Sequence, residues 1–316
     1  MEKRRFLNYW MSDNMLNSLT FLLMNIIILC ILILNYYISS LVLCILVIFN
    51  LAIFTLSLGI NIIKNGFYHR VHAFESSGKT IEVIDHIFPL KPKRNYREMK
   101  IVDVPGAYSK VLLNNEENQL LFYDYCKLIV KIIFPERCNE ALVIGAGGCS
   151  IPKFLSNEYN NIQVNVVEIC TNIIEVSNKY FINNYERDKI FFFNEDAKIF
   201  VTRKEANKKY QFIFNDLFIG NKPPEFVNTI EFLSNLKNIM AEDGVLVVNV
   251  GKPTTVSINE CIQLYKQCFG KVSIFNSNGA IVFIVEKNYQ TNRLEELMES
   301  SSHFAKELKK QWIMTY

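Results

Sequence analysis

The chain has 316 residues, a formal net charge of +3, 50% hydrophobic residues and a positive mean hydropathy. That length allows one ordinary soluble domain with additional parts, and so small a charge excludes a nucleic-acid binder built on a strong basic field. Eight cysteines form no C-x-x-C pair, and His69, His72, His86 and His303 have no acid or cysteine completing a ligand set, so reduced, mostly buried thiols and no metal site are expected.

The apolar excess is concentrated near the N-terminus. Between Asp13 and Lys64 there is no Asp, Glu, Lys, Arg or His. One helix of roughly fifty residues would be about 75 Å long, against a hydrocarbon core of about 30 Å. Two transmembrane helices fit better, Leu16 to Tyr36 and Leu41 to Ile63, turning at Tyr37-Ile38-Ser39-Ser40. A cleaved signal peptide would need an apolar region of only about 7–15 residues. Lys3, Arg4 and Arg5 precede the first span and Lys64 and Arg70 follow the second, which places both termini in the cytoplasm. Asn25, Asn35 and Asn50 are candidates for bonds between the helices, and with no ionisable residue present the hairpin reads as an anchor in membrane lipid.

After this anchor (residues 1–66), residues 67–95 read as a poorly patterned connector with a turn at Glu75-Ser-Ser-Gly78 and breakers at Pro89 and Pro92. The cluster Lys91, Lys93, Arg94, Arg97 and Lys100 is either a contact for anionic lipid or a solvated loop. Residues 96–135 form a small β-rich unit and helix: Met99 to Val104 and Tyr108 to Leu113 flank Pro105-Gly106, and Leu120 to Phe134 has helical spacing.

Residues 136–316 alternate strand and helix, the signature of a mostly parallel α/β sheet. Strands are expected at Ala141–Ile144, Ile162–Val167, Ile190–Phe193, Phe212–Phe214 and Val245–Val250, with helices at Thr171–Asn183, Ala197–Glu205, Val227–Met240 and Val256–Phe269. Lys271–Phe275 and Ala280–Glu286, joined by Asn278-Gly279, predict a closing antiparallel hairpin, and Thr291 to Trp312 a charged amphipathic helix.

Glycines and acids fall at the strand ends. Gly145, Gly147 and Gly148 allow a sharp turn and a close ligand approach, ahead of a helix N-terminus that favours an anionic group. Glu168, about twenty residues on, suits ribose hydroxyls. Asp196, with the backbone of Ala197, is placed to read an adenine amino group, and it also reads as an N-cap. Asp216 lies at the fourth strand end, where transfer chemistry would occur, or serves as a turn acid. These features predict a nucleoside site. NAD is the alternative ligand, although Ser150 occupies the sixth position of the G-x-G-x-x-G pattern.

The segments Leu-Val-Ile-Gly-Ala-Gly-Gly-Cys-Ser-Ile-Pro, Val-Val-Glu168-Ile, Asn-Glu-Asp196-Ala, Phe-Asn-Asp216-Leu-Phe, Pro223-Pro224-Glu-Phe-Val-Asn-Thr229 and Asp-Gly-Val-Leu-Val-Val-Asn249 resemble the spermidine synthase-like group of Rossmann-fold, class I methyltransferase-type transferases. The resemblance covers residues 96–286 and includes the small N-terminal β unit. It implies S-adenosylmethionine or its decarboxylated form as co-substrate, no metal, and a small-molecule acceptor with an amine among the candidates. It also implies Gly145 and Gly147 as the sulfonium-side loop, Glu168 as ribose ligand, Asp196 as adenine ligand and Asp216 as the acid beside the transferred group, and Tyr123 and Asp124 are candidate helpers of Asp216 in proton removal. Three positions depart from the group. The loop carboxylate is replaced by Gly148, the second strand-end acid by Ile219, and a Tyr-His-Glu run by Tyr123-Asp124-Tyr125. The lost groups position cationic amines, so group identity (aminopropyl or methyl) stays open. A homodimer, a non-catalytic nucleoside-binding scaffold and an NAD oxidoreductase remain alternatives to weigh.

Overall fold

A computed structural model of the protein describes residues 22–30, 40–76, 78–104, 109–113, 138–203, 209–220, 222–251, 255–277, 280–288 and 312–315, with isolated positions between 294 and 310. The chain divides into two compact units. The first comprises Met1–His72, Val83–Arg97 and Leu112–Asn114, and the second Ala73–Glu82, Glu98–Val111 and Asn115–Tyr316.

In the first unit, helix α1 (Ser40–Asn65) carries an apolar run, Cys44–Lys64, long and apolar enough to cross a membrane. Its side chains are largely exposed, among them Ile48, Phe49, Leu51 and Leu56. Of the first expected span only residues 22–30 are described, and they are helical. Two spans were expected; the described residues contain one helix of sufficient length. Asn50 Nδ2 donates to the Leu46 carbonyl one turn back at 2.8 Å.

The expected connector is not irregular. Residues 67–95 contain two strands, β1 (Phe67–Ser76) and β2 (Lys79–Ile87), which join β3 (Tyr96–Ile101) and β4 (Ser109–Leu112) in a four-stranded sheet of order β1-β2-β3-β4. In the sequence these strands were obscured because His, Arg and Glu interrupt the apolar positions and no regular alternation marks them. The residues around Pro105-Gly106 and the helix expected over 120–134, with Tyr123 and Asp124, lie outside the described residues.

The second unit holds an eight-stranded sheet of order β12-β10-β11-β9-β8-β5-β6-β7. Its parallel part is β5 (Glu140–Ile144), β6 (Gln163–Glu168), β7 (Ile190–Asn194), β8 (Tyr210–Asn215) and β9 (Met240–Gly251). Antiparallel β10 (Ser273–Ser277) and β11 (Ala280–Glu286) close it as the sequence indicates. Adjacent β5 residues serve opposite faces. Val143 packs with Phe154, Val164 and Phe214, whereas Leu142 and Ile144 pack with Leu233, Tyr265 and Phe283. A sheet buried on both faces needs such continuous apolar strands.

The helices are α2 (Ser150–Glu158), α3 (Thr171–Tyr180), α4 (Asn184–Arg187), α5 (Ala197–Phe200), α6 (Ile230–Ile239) and α7 (Thr255–Phe269). The helix expected over Val227–Met240 is split, with a 3-10 turn at Glu225–Asn228 and a fresh start at Thr229, whose side chain caps the Phe232 N–H. The expected closing helix does not run to Trp312, because Trp312–Thr315 forms β12 and pairs antiparallel with β10. The chain leaves β5 toward β6 and β7, then crosses back to β8 on the other side. That reversal opens a crevice at the carboxyl ends of β5 and β8, where such sheets bind ligands.

Candidate functional site

All described residues that line one cavity, at the carboxyl ends of β5 and β8, belong to the second unit. It measures about 720 Å³ and is walled by Gly145, Gly147, Glu168, Asp196, Ala197 and Asp216. Six of the residues expected from sequence therefore meet in one crevice, of a size that suits a nucleoside.

Gly145 follows β5 with φ +93°, and a Cβ there would lie 2.6 Å from the Asp216 carbonyl oxygen. Only glycine tolerates both the backbone and this approach of β8. The loop is anchored by Gly145 N–H to Val167 O and by Ser177 Oγ, which donates to Gly147 O at 2.5 Å. Gly148 is placed differently from expectation. It is buried and absent from the cavity wall. Its N–H donates to Ser109 Oγ at 2.7 Å, and a Cβ would meet Ser109 Cβ at 2.7 Å and the Phe181 ring at 2.9 Å. A carboxylate at 148 has no space here.

Glu168 ends β6 and is 8% exposed. One carboxylate oxygen accepts from the Ala146 N–H at 3.0 Å and the other from the Cys170 N–H at 2.9 Å. Burial pushes its pKa up while these backbone bonds pull it down, with a net rise. The carboxylate thus ties the glycine loop to the β6 end and still faces the cavity. Asp196 combines both of its expected geometries. It caps α5 by accepting from Lys198 N–H at 2.8 Å, and it lines the cavity beside Ala197. Its neighbour Glu195, also on the wall, is paired with Arg203 at 2.7 Å.

Asp216 follows β8. Burial raises its pKa to about 6, partly opposed by Asn249 Nδ2, which donates to Oδ1 at 2.8 Å. A carboxyl group poised near neutrality can hold or release a proton at physiological pH. Beyond it the wall is apolar through Leu217, Phe218 and Ile219, with Lys222 at the rim. Ile169, Leu217 and Phe226 add apolar side chains to the same wall.

Sequence reasoning passed over Ser109 and Asn249. Asn249 lies near the end of β9, so the strand-end rule that selected Glu168 and Asp216 reaches it too. Ser109 arrives from β4, thirty-nine residues before Gly148, and has no local signal. Among the described residues no group of three or more His, Cys, Asp and Glu can hold a metal ion.

Known proteins share parts of this sequence and this fold. The spermine/spermidine synthase domain model matches residues 130–304. A polyamine aminopropyltransferase of Vibrio vulnificus is 27% identical over 157 residues, covering 49% of this chain and 52% of that protein. An eEF1A lysine and N-terminal methyltransferase of Xenopus laevis is 24% identical over 270 residues, 79% of this chain and 39% of that protein. The chain thus spans about half or less of these two relatives. A probable spermidine synthase from Corynebacterium glutamicum superposes with a TM-score of 0.56 at 15% identity, over 72% of this chain and 85% of that one. The spermidine synthase from Thermotoga maritima gives 0.54 at 13% identity, over 78% and 84%. With the family model matching more than half of its length, the chain belongs to the spermine/spermidine synthase domain family.

Proposed function

We propose that this chain is a membrane-anchored group transferase that takes S-adenosylmethionine or its decarboxylated form as donor and alkylates a small molecule. The observation that carries the reading is the convergence of Glu168, Asp196 and Asp216 on one crevice beside the Gly145 turn. Glu168 has lone pairs left for two ribose hydroxyls after accepting its two backbone bonds. The base lies between Ile169, Ala197 and Leu217, and Asp196 takes its amino group. Asp216 faces the reacting carbon and receives the proton of the attacking nucleophile, as a pKa of about 6 allows. Positioning contributes the rest of the acceleration.

The acceptor end favours something other than a polyamine. Ile219 stands where a second carboxylate would hold an ammonium, and Lys222 adds positive charge to the rim. Buried cations without partners are costly. The exposed apolar side chains of α1 support the anchor.

Calorimetric titration of the protein with S-adenosylmethionine, its decarboxylated form and NAD tests this reading. Binding of a sulfonium nucleoside without NAD binding is expected. Affinity for NAD alone would select an oxidoreductase, and donor binding without transfer from either donor would select a non-catalytic nucleoside-binding protein.

A further inference from the structure

We propose that the loop between β2 and β3 is a docking element for an anionic bilayer surface, seated beside the end of the membrane helix. The inference rests on the reading of α1 as a membrane span.

The first observation is placement. Gly66 is the single residue between α1 and β1, and its φ is +75°. A Cβ there would lie 2.4 Å from the Ile87 carbonyl oxygen and 2.8 Å from the Phe88 ring. The loop therefore begins in contact with the exit of the helix.

The second observation is construction. The Phe88 N–H donates to Asn95 Oδ1 at 2.7 Å, Lys91 N–H to Phe88 O at 3.0 Å, and Arg94 N–H to Lys91 O at 2.8 Å. Asn95 is buried, and next to it Tyr96 stacks on His86 with centroids 4.2 Å apart and planes 9° from parallel. Pro89 and Pro92 stiffen the turn further. The base is fixed while the tip is outside: Leu90 is 68% exposed, and Lys91, Pro92, Lys93 and Arg94 are all exposed.

The third observation is composition. Residues 86–96 contain no acid. Arg97 is not part of the patch, because it makes two bonds to Asp85 at 2.6 and 2.8 Å. Three cations with no ion pair among the described residues thus follow one large exposed apolar side chain, and Ile63 and Phe67 on either side of Gly66 are also exposed. An apolar tip framed by Lys and Arg at the end of a membrane helix fits lipid headgroups: the leucine enters the acyl boundary and the cations meet anionic phosphates. The same side chains in a purely solvated loop would gain nothing from being held together.

The test uses the full chain in nanodiscs of phosphatidylcholine alone or mixed with phosphatidylglycerol, with amide exchange followed across residues 88–95. Several-fold slower exchange in the anionic discs is expected, lost at high salt and in a Lys91→Glu/Lys93→Glu/Arg94→Glu variant with unchanged circular dichroism. Equal exchange in the two kinds of disc overturns the proposal. Retention of the chain in membranes after a carbonate wash is read separately. Loss of retention removes the membrane reading and this inference together, whereas retention with unprotected amides removes this inference alone.

Discussion

Asn249 Nδ2 donates to Asp216 Oδ1 at 2.8 Å, and the Asn249 amide cannot turn over, because its Oδ1 accepts the Gly251 N–H at 3.0 Å. One backbone bond thus fixes which end of Asn249 meets the carboxylate. The donated bond is what restrains the pKa of Asp216 to about 6 against the effect of burial. Asn249→Ala should raise that pKa further. A hydrogen bond to a charged group is worth roughly 1.5–3 kcal/mol, or about one to two pKa units. The acidic limb of the transfer-rate profile should move to higher pH by that amount, with donor affinity nearly unchanged. An unmoved limb in a pH–rate series would separate Asn249 from the chemistry.

The same raised pKa has a consequence for stability. Asp216 ionises near 3.8 when unperturbed and near 6 in the fold, so the folded state favours the protonated acid. Its contribution to stability is full below about pH 4 and is lost as pH rises to about 6; beyond that the buried carboxylate is a steady cost. Asp216→Asn cannot ionise. Its melting temperature should exceed that of the wild type at about pH 8, with the gap closing toward about pH 4, while transfer falls by about a hundredfold or more. Thermal scans across that range, together with a rate at neutral pH, check both halves.

Glu168 should act on fold and ligand alike. Glu168→Ala removes two ribose acceptors, at roughly 1.5–3 kcal/mol of binding, and also strands the Ala146 and Cys170 N–H groups. Each buried donor left unpaired costs about 1–3 kcal/mol. The variant should therefore unfold at lower urea concentration even without ligand. Weakened donor binding at unchanged stability would mean the two backbone bonds are dispensable.

The parallel sheet was legible because short, mainly apolar runs (Ala141–Ile144, Val164–Val167 around Asn165, and Phe212–Phe214) lead to Gly145, Glu168 and Asp216, and this punctuation also marked the cavity wall. What stayed hidden was carried by distant contacts. Gly148 looked like an open loop position, yet Ser109 and Phe181 fill the space beside it from β4 and the end of α3. Strand β12 begins at Trp312, the last residue given to the expected closing helix, and the remaining three residues are too few to signal a strand; pairing with β10 decides their conformation. Strands β1 and β2 were read as a connector for a related reason: their polar residues alternate irregularly, and sheet partners supply the order.

Removing residues 1–66 should leave the nucleoside site intact. The described lining runs from Ile101 to Asn249, all within the second unit, and owes nothing to α1. A chain beginning at Phe67 should be recovered without detergent and bind the donor as the full-length protein does. Donor affinity lost on truncation, in a chain that still shows a cooperative melt, would place part of the site in the removed segment.

Donor choice can be argued from Ser109 and Gly148. S-adenosylmethionine and its decarboxylated form differ by one carboxylate, and the family-type loop acid that would hold the remaining amine is replaced by Gly148. Restoring it there fails sterically: the first side-chain carbon already lies 2.7 Å from Ser109 Cβ, so Gly148→Asp should destabilise the fold instead of changing specificity. Ser109 offers the same position from the opposite side. It lines the cavity, and in Ser109→Asp a carboxylate oxygen can still accept the Gly148 N–H. The wild type should bind S-adenosylmethionine at least as tightly as the decarboxylated donor, since Ser109 presents no acid at this point to repel a carboxylate, and the start of α2 favours one. Ser109→Asp should turn the preference toward the decarboxylated donor by about tenfold, or about 1.4 kcal/mol. Two titrations per protein at matched ionic strength suffice. A wild type that already prefers the decarboxylated form by that margin would refute the argument and make aminopropyl transfer the better reading.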